Sequence, residues 1–168
     1  MALVLMAGAL VWALSEVLEL LQGGFTPLNS GVSAVAFVLI GIGVWALWRE
    51  RAQNRLGQAG IAMLSIGMVL FALVAVQVMS SGITSDAEIA DTPIFLLSGG
   101  LVSIGALLLG WWLVAASPFP KWIGAILVAA TLFTLAVAFV PAIVALQPVS
   151  NLVLAAVLGR LGWQLRSS

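Results

Sequence analysis

Six long apolar runs, set apart by short polar or proline-bearing breaks, leave this chain few ways to fold. They cover residues 2–21, 32–48, 56–79, 94–116, 122–146 and 149–165. A helix rises 1.5 Å per residue, so about 20 residues cross a hydrocarbon layer of ~30 Å. Within lipid every backbone N–H and C=O must bond internally, and runs of this length do so as α-helices. The composition agrees: 63% of the residues are hydrophobic and 7% charged, where a soluble domain is about 25% charged. Water cannot be the solvent for so much apolar surface. The expected fold is all-α: a polytopic transmembrane helix bundle of six spans in a single domain, 1–168.

The breaks have physical causes. Gly23-Gly24 and Pro27 interrupt the first run, and the second ends in Arg49-Glu50-Arg51-Ala52-Gln53-Asn54-Arg55. After the third comes a polar stretch from Ser80 to Thr92, and Pro93 suits the first turn of a new helix. Ser117-Pro118-Phe119-Pro120-Lys121 is a tight turn, since two prolines forbid a continuous helix. Pro141 is expected to kink the fifth run in its last third, and Gln147-Pro148 to make one more turn. Met1-Ala2-Leu3 carries no positive n-region, so the first run is expected to be a retained helix and not a cleaved signal.

Orientation follows from the Arg49–Arg55 stretch. Three arginines between two spans place that loop on the cytoplasmic side. Alternation then puts both termini inside, Lys121 in an inside loop, and Arg160 and Arg166 at the inside end of the sixth span. All six basic residues fall on one side. A five-span arrangement would split them. Outside fall Glu16, Glu19, Asp86, Glu88 and Asp91. Trp45, Trp48, Trp111, Trp112, Trp122 and Trp163 lie near the inner ends of their spans, where an indole finds both an apolar medium and a partner for its N–H. They are read as an interfacial aromatic rim, with a lipid or ligand pocket as the alternative. Trp12, mid-span, is expected to pack against a neighbouring helix.

Packing signals are plentiful. Gly99, Ser103, Ala106 and Gly110 form a small-residue stripe along the fourth run. Such stripes let backbones approach closely, which matters where lipid supplies no hydrophobic drive between helices. The stripe serves either packing within the chain or a subunit interface. Identities 64 positions apart (Ile40-Gly41 with Ile104-Gly105, Trp48 with Trp112, Gly60 with Gly124) suggest a duplicated helical hairpin, or chance in a Gly- and Ala-rich chain.

Chemistry is sparse. The chain has no Cys, His or Tyr, which excludes disulfides, thiolate or imidazole metal sites and tyrosyl chemistry. Its six basic and six acidic residues cancel, so nucleic acid is no partner. Glu16 and Glu19, at i and i+3, share a helix face in the outer third of the first span. One reading is that both reach the headgroups and are hydrated. The other is a functional pair, since intramembrane carboxylates are costly and tend to serve ions, protons or a basic partner. Asp86-Ala87-Glu88-Ile89-Ala90-Asp91 lacks the glycine and ligand number of a calcium loop. Arg160 is expected to snorkel to the interface. No residues are assigned as catalytic, cofactor-binding or metal-binding.

Three short patterns, Trp45-Ala46-Leu47-Trp48-Arg49, Leu56-Gly57-Gln58-Ala59-Gly60 and Pro120-Lys121-Trp122-Ile123-Gly124, resemble ones that recur in small uncharacterised bacterial multi-pass membrane proteins. The resemblance implies a six-helix protein of the bacterial cytoplasmic (inner) membrane. It implies no activity. The function expected is a non-catalytic subunit or scaffold, with the lipid bilayer, other membrane subunits or a second copy as partners. The alternatives are a small transporter or channel using Glu16 and Glu19, and a protein that binds lipid or another hydrophobic ligand.

Overall fold

A computed structural model describes residues 1–50, 54–84, 86–89, 92–140, 143 and 146–167, apart from the side chains of Arg49, Glu50, Asp86 and Ala87. The chain folds as an all-α bundle. The long helices are α1 (Ala2–Gln22), α2 (Pro27–Glu50), α3 (Arg55–Ser81), α5 (Pro93–Ala115), α6 (Lys121–Phe139) and α7 (Gln147–Ser167), with the one-turn α4 (Asp86–Ile89) between α3 and α5. Five of them, α1, α2, α3, α5 and α6, are long and apolar enough to cross a membrane. At 21 residues α7 has the length, about 31 Å at 1.5 Å per residue, but its Gln, Asn, Ser and Arg content keeps it out of that set.

Local chemistry sets the ends. Gly23 caps α1 in the left-handed region (φ 72°) and its N–H returns to the Glu19 carbonyl, a conformation glycine adopts without Cβ strain. The second helix starts at Pro27, five residues before the apolar run beginning at Val32. A reciprocal cap explains this: the Thr26 N–H donates to Asn29 Oδ1 (2.9 Å) and the Asn29 N–H to Thr26 Oγ1 (3.3 Å), while Pro27 needs no donor in a first turn. Asn54 caps α3 by accepting from the Gly57 N–H at 2.8 Å.

The fifth apolar run is shorter as a helix than its hydropathy suggests. Instead of continuing to Leu146 with a kink at Pro141, α6 ends at Phe139, and Val140 is already extended (φ −117°, ψ 96°). The ring of a following proline disfavours helical backbone at the residue before it. Pro141 itself lies outside the described residues. Gln147 and Pro148, expected as a turn, form the first turn of α7.

The long helices form a closed ring in the order α1, α2, α3, α5, α6, α7, with α7 returning to α1. Neighbours run antiparallel, and glycines mark the crossings. A Cβ on Gly43 would lie 2.6 Å from the Leu5 Cα, and one on Gly8 2.8 Å from the Ile40 nitrogen. Gly159 faces Ala9, and Gly162 faces Met6. Gly60 and Gly124, paired by the 64-residue echo, both face α5. A duplicated hairpin would instead turn Gly60 toward α2.

Leu5, Ile40, Leu47, Ile61, Leu64, Leu109, Trp112, Leu113, Ile123, Leu127, Leu158 and Leu161 are fully buried and fill the ring. A smaller cluster of Val74, Val78 and Ile89, with Phe25, Phe71 and Phe95 against it, closes the end that carries the α1–α2 turn. There the Phe25 N–H donates to the Thr84 carbonyl, tying the two connections together. The outer wall is apolar as well: Leu10, Leu21, Leu73, Leu96 and Leu132 are all more than half exposed. Such a surface far exceeds what water tolerates, and it is the ordinary lipid-facing side of a membrane bundle.

Candidate functional site

A buried polar group lies where α1 meets α7. Trp12 and Glu16 are one turn apart on the inward face of α1, both only 4% exposed. The Trp12 indole N–H donates to Glu16 Oε1 at 2.6 Å. Asn151, in the first turns of α7, donates through Nδ2 to Glu16 Oε2 at 3.1 Å. Behind it, Gln147 Nε2 donates to Asn151 Oδ1 at 3.3 Å. Ser15, also buried, returns its hydroxyl to the Trp12 carbonyl. Burying a carboxylate within a membrane helix costs about 2.5–3.5 kcal/mol on insertion scales. Here N–H donors on both oxygens replace lost hydration.

The register of α1 on α7 makes this possible. Because Ala9 faces Gly159 and Met6 faces Gly162, Glu16 comes level with the start of α7, where the amides stand. Glu19 is treated differently. It lies one turn further out, half-buried, and its carbonyl accepts the Gly23 N–H. The two carboxylates therefore do not share one environment: Glu16 is turned into the bundle and Glu19 stands at its edge.

Trp12 also begins an aromatic chain across four helices. Its ring meets Phe37 edge-on at 5.7 Å, Phe37 meets Phe71 at 5.7 Å, and Phe71 meets Phe95 edge-on at 5.7 Å. Beside Trp12 lies a small cavity of about 30 Å³, bordered by Met68, Ser103, Ala106, Thr131 and Leu154 among others. A buried water needs roughly 10–15 Å³, so the space suits one or two. The Thr131 and Thr134 hydroxyls back-bond to the Leu127 and Ala130 carbonyls, the usual arrangement for threonine within a helix.

The remaining residues singled out above lie elsewhere. The Gly99, Ser103, Ala106, Gly110 stripe is turned toward the interior: Gly99 lies near Phe71, Ser103 and Ala106 border the cavity, and Gly110 packs on Gly124 and Val128 of α6. The tryptophan set gathers at the end opposite Glu16 and divides by exposure. Trp45, Trp111, Trp122 and Trp163 face outward and Trp48 is half-buried, stacked on Trp45 at 5.2 Å. Trp112 is buried (2% exposed), and a Cβ on Gly57 would lie 2.9 Å from its ring. The Arg160 guanidinium lies over the Trp122 ring, 5.8 Å from its centroid. Of the acidic stretch, Asp86–Ile89 forms α4, while Ala90 and Asp91 lie outside the described residues. Among the described residues no group of three acidic, His or Cys side chains could hold a metal.

Sequence reasoning did not anticipate Asn151, Gln147 or buried Asn29. All three look like turn residues beside an apolar run. The signal was there for Asn151: it sits at the outer end of the last span, level with the outer third of the first. Only knowing that the two helices touch turns that level into a contact. No protein-family model, curated protein or solved structure matches this chain.

Proposed function

We propose that this protein crosses the bacterial cytoplasmic membrane six times, with both termini in the cytoplasm, and serves as a non-catalytic subunit or scaffold of a membrane assembly. The threading is supported by charge. Arg55, Lys121 and Arg166 stand at the end of the ring that gathers the α2–α3 connection, the α5–α6 turn and the C-terminus, with Arg160 less than two turns inside it. Glu16 and Glu19 lie toward the opposite end. Lys and Arg bias toward the cytoplasm sets orientation. The absence of native cysteine allows a direct check. A single cysteine at Ser167 or Gln53 should resist a membrane-impermeant maleimide in intact spheroplasts and react after lysis, whereas one at Thr84 should react in both. External labelling at Ser167 with protection at Gln53 would leave five spans.

The observation that carries the subunit reading is how the interior is used. Among the described residues small side chains are committed to close helix contacts, and the central space, about 30 Å³, is the size of a water or two. What the protein offers outward is a broad apolar wall. Native mass spectrometry from native nanodiscs should then show a fixed stoichiometric complex, with another polypeptide or with further copies of itself. A bare monomer under those conditions would remove this reading.

A second reading, a small proton- or cation-coupled transporter, draws on Glu16. A buried carboxylate within an apolar helix, held by donors from two helices, is the kind of group such proteins use.

A further inference from the structure

The seam between α6 and α7 is the slimmest helix contact of the ring, and its basic end carries an unusual grouping. Arg160 over Trp122 sets the last two turns of α7 level with the first turn of α6. At that level Lys121, Trp122, Arg160 and Trp163 are all exposed on the outer wall, the two indoles at 47% and 49%. Arg160 forms no ion pair among the described residues.

Beyond Arg160, toward the acidic end, the outward face of α7 is Ala156, Val153 and Val149, all exposed and spaced three or four apart. This track is about 16 Å long at 1.5 Å per residue. Ile126 and Phe133 of α6 are exposed on the adjoining wall. Two cations and two indoles exposed near the head of an apolar track match a molecule with an anionic head and a hydrocarbon tail.

We propose that Lys121, Trp122, Arg160 and Trp163 form a seat for the headgroup of an anionic phospholipid in the leaflet at the basic end, with one acyl chain lying on the α7 track. The phosphodiester accepts from Arg160 and Lys121. The indoles supply interfacial contact and N–H donors, and Trp122 holds the guanidinium in place before the lipid arrives. A soluble anion would use the cations and leave the track bare. The proposal needs the chain to span a membrane, but it is independent of the subunit reading. A monomer that keeps its lipid would sink that reading and leave this one standing.

The test uses the full chain, delipidated in mild detergent and titrated with phosphatidylglycerol or phosphatidylcholine of identical acyl chains, read by native mass spectrometry. The first phosphatidylglycerol should bind at least about fivefold tighter than phosphatidylcholine, as expected for a basic side chain beside an anionic lipid. Arg160→Gln and Lys121→Gln should each remove most of that preference, and Arg160→Lys should keep part of it. Arg55→Gln, which alters a cation at the same end on a helix remote from the seam, should leave it unchanged. Equal binding of the two lipids would overturn the proposal, as would equal losses from Arg55→Gln and Arg160→Gln. Competition by glycerol 3-phosphate as effective as that by phosphatidylglycerol would overturn the track. Loss of preference in a variant that no longer elutes as a monodisperse species does not count; the Arg160→Lys comparison then decides.

Discussion

Gly105→Val is expected to cost about 3 kcal/mol or more of stability. A Cβ at Gly105 would press on the backbone nitrogen of Leu64, with the Leu64 Cα at 2.8 Å and the Gly60 carbonyl oxygen at 3.0 Å. The crossing is reciprocal, because a Cβ on Gly60 would lie 2.6 Å from the Leu109 nitrogen. No rotamer can relieve a contact with helical backbone, so α3 and α5 must move apart. That uncovers Leu64, Leu109 and Trp112, which are among the most deeply buried side chains. In lipid the loss falls on van der Waals packing, the main force between these helices. Gly100 is the control. It sits in the same helix with open space around its α-carbon, and Gly100→Ala should be neutral or stabilise by up to about 1 kcal/mol. Thermal unfolding followed by size-exclusion fluorescence compares the two. Equal melting curves would refute the backbone-contact account of this crossing.

Asn151→Leu is expected to cost about 2 kcal/mol, because it leaves a buried carboxylate oxygen without one of its donors. The effect should be specific to the α1–α7 contact. A double-mutant cycle of Asn151→Leu with Glu16→Ala should show coupling of about 1 kcal/mol, the scale of hydrogen bonds between membrane helices. Zero coupling would mean that the contact contributes nothing to docking α7. Glu16→Gln separates structure from function. Its side-chain oxygen still accepts from Trp12 or Asn151 while its NH2 faces the other donor, so the variant should fold at a cost of about 1–2 kcal/mol. If the transporter reading holds, proton or cation flux into liposomes should nonetheless vanish. Flux that survives Glu16→Gln would take this residue out of any transport cycle.

The helices were legible because hydropathy and length are properties of the linear chain. Runs of apolar residues near Ala2, Leu56 and Ile94 become α1, α3 and α5 with ends shifted by a residue or so. The larger departures occur where polar or proline residues carry the decision. Thr26 and Asn29 extend α2 backwards by capping it, and Pro141 stops α6 early through its effect on Val140. Trp112 and Trp111 are adjacent and chemically identical, so only the facing of α5 could make one a core residue and the other an exposed one. Within the candidate site, Glu16 stood out as a carboxylate in an apolar run, but whether it faced water or the interior depended on a neighbour far along the chain.

By itself the sequence determined that this is a bundle of long apolar helices, where they lie, and that their charges are distributed unevenly along the chain. Each follows from local transfer energies and backbone hydrogen bonding. The tertiary structure decided which helices touch. It closed the ring by bringing α7 onto α1, turned the Gly99–Gly110 stripe inward, and matched Asn151 to Glu16 and Arg160 to Trp122. These pairings depend on helix register and rotation, which glycine contacts set to within a fraction of a turn and which no single segment encodes alone.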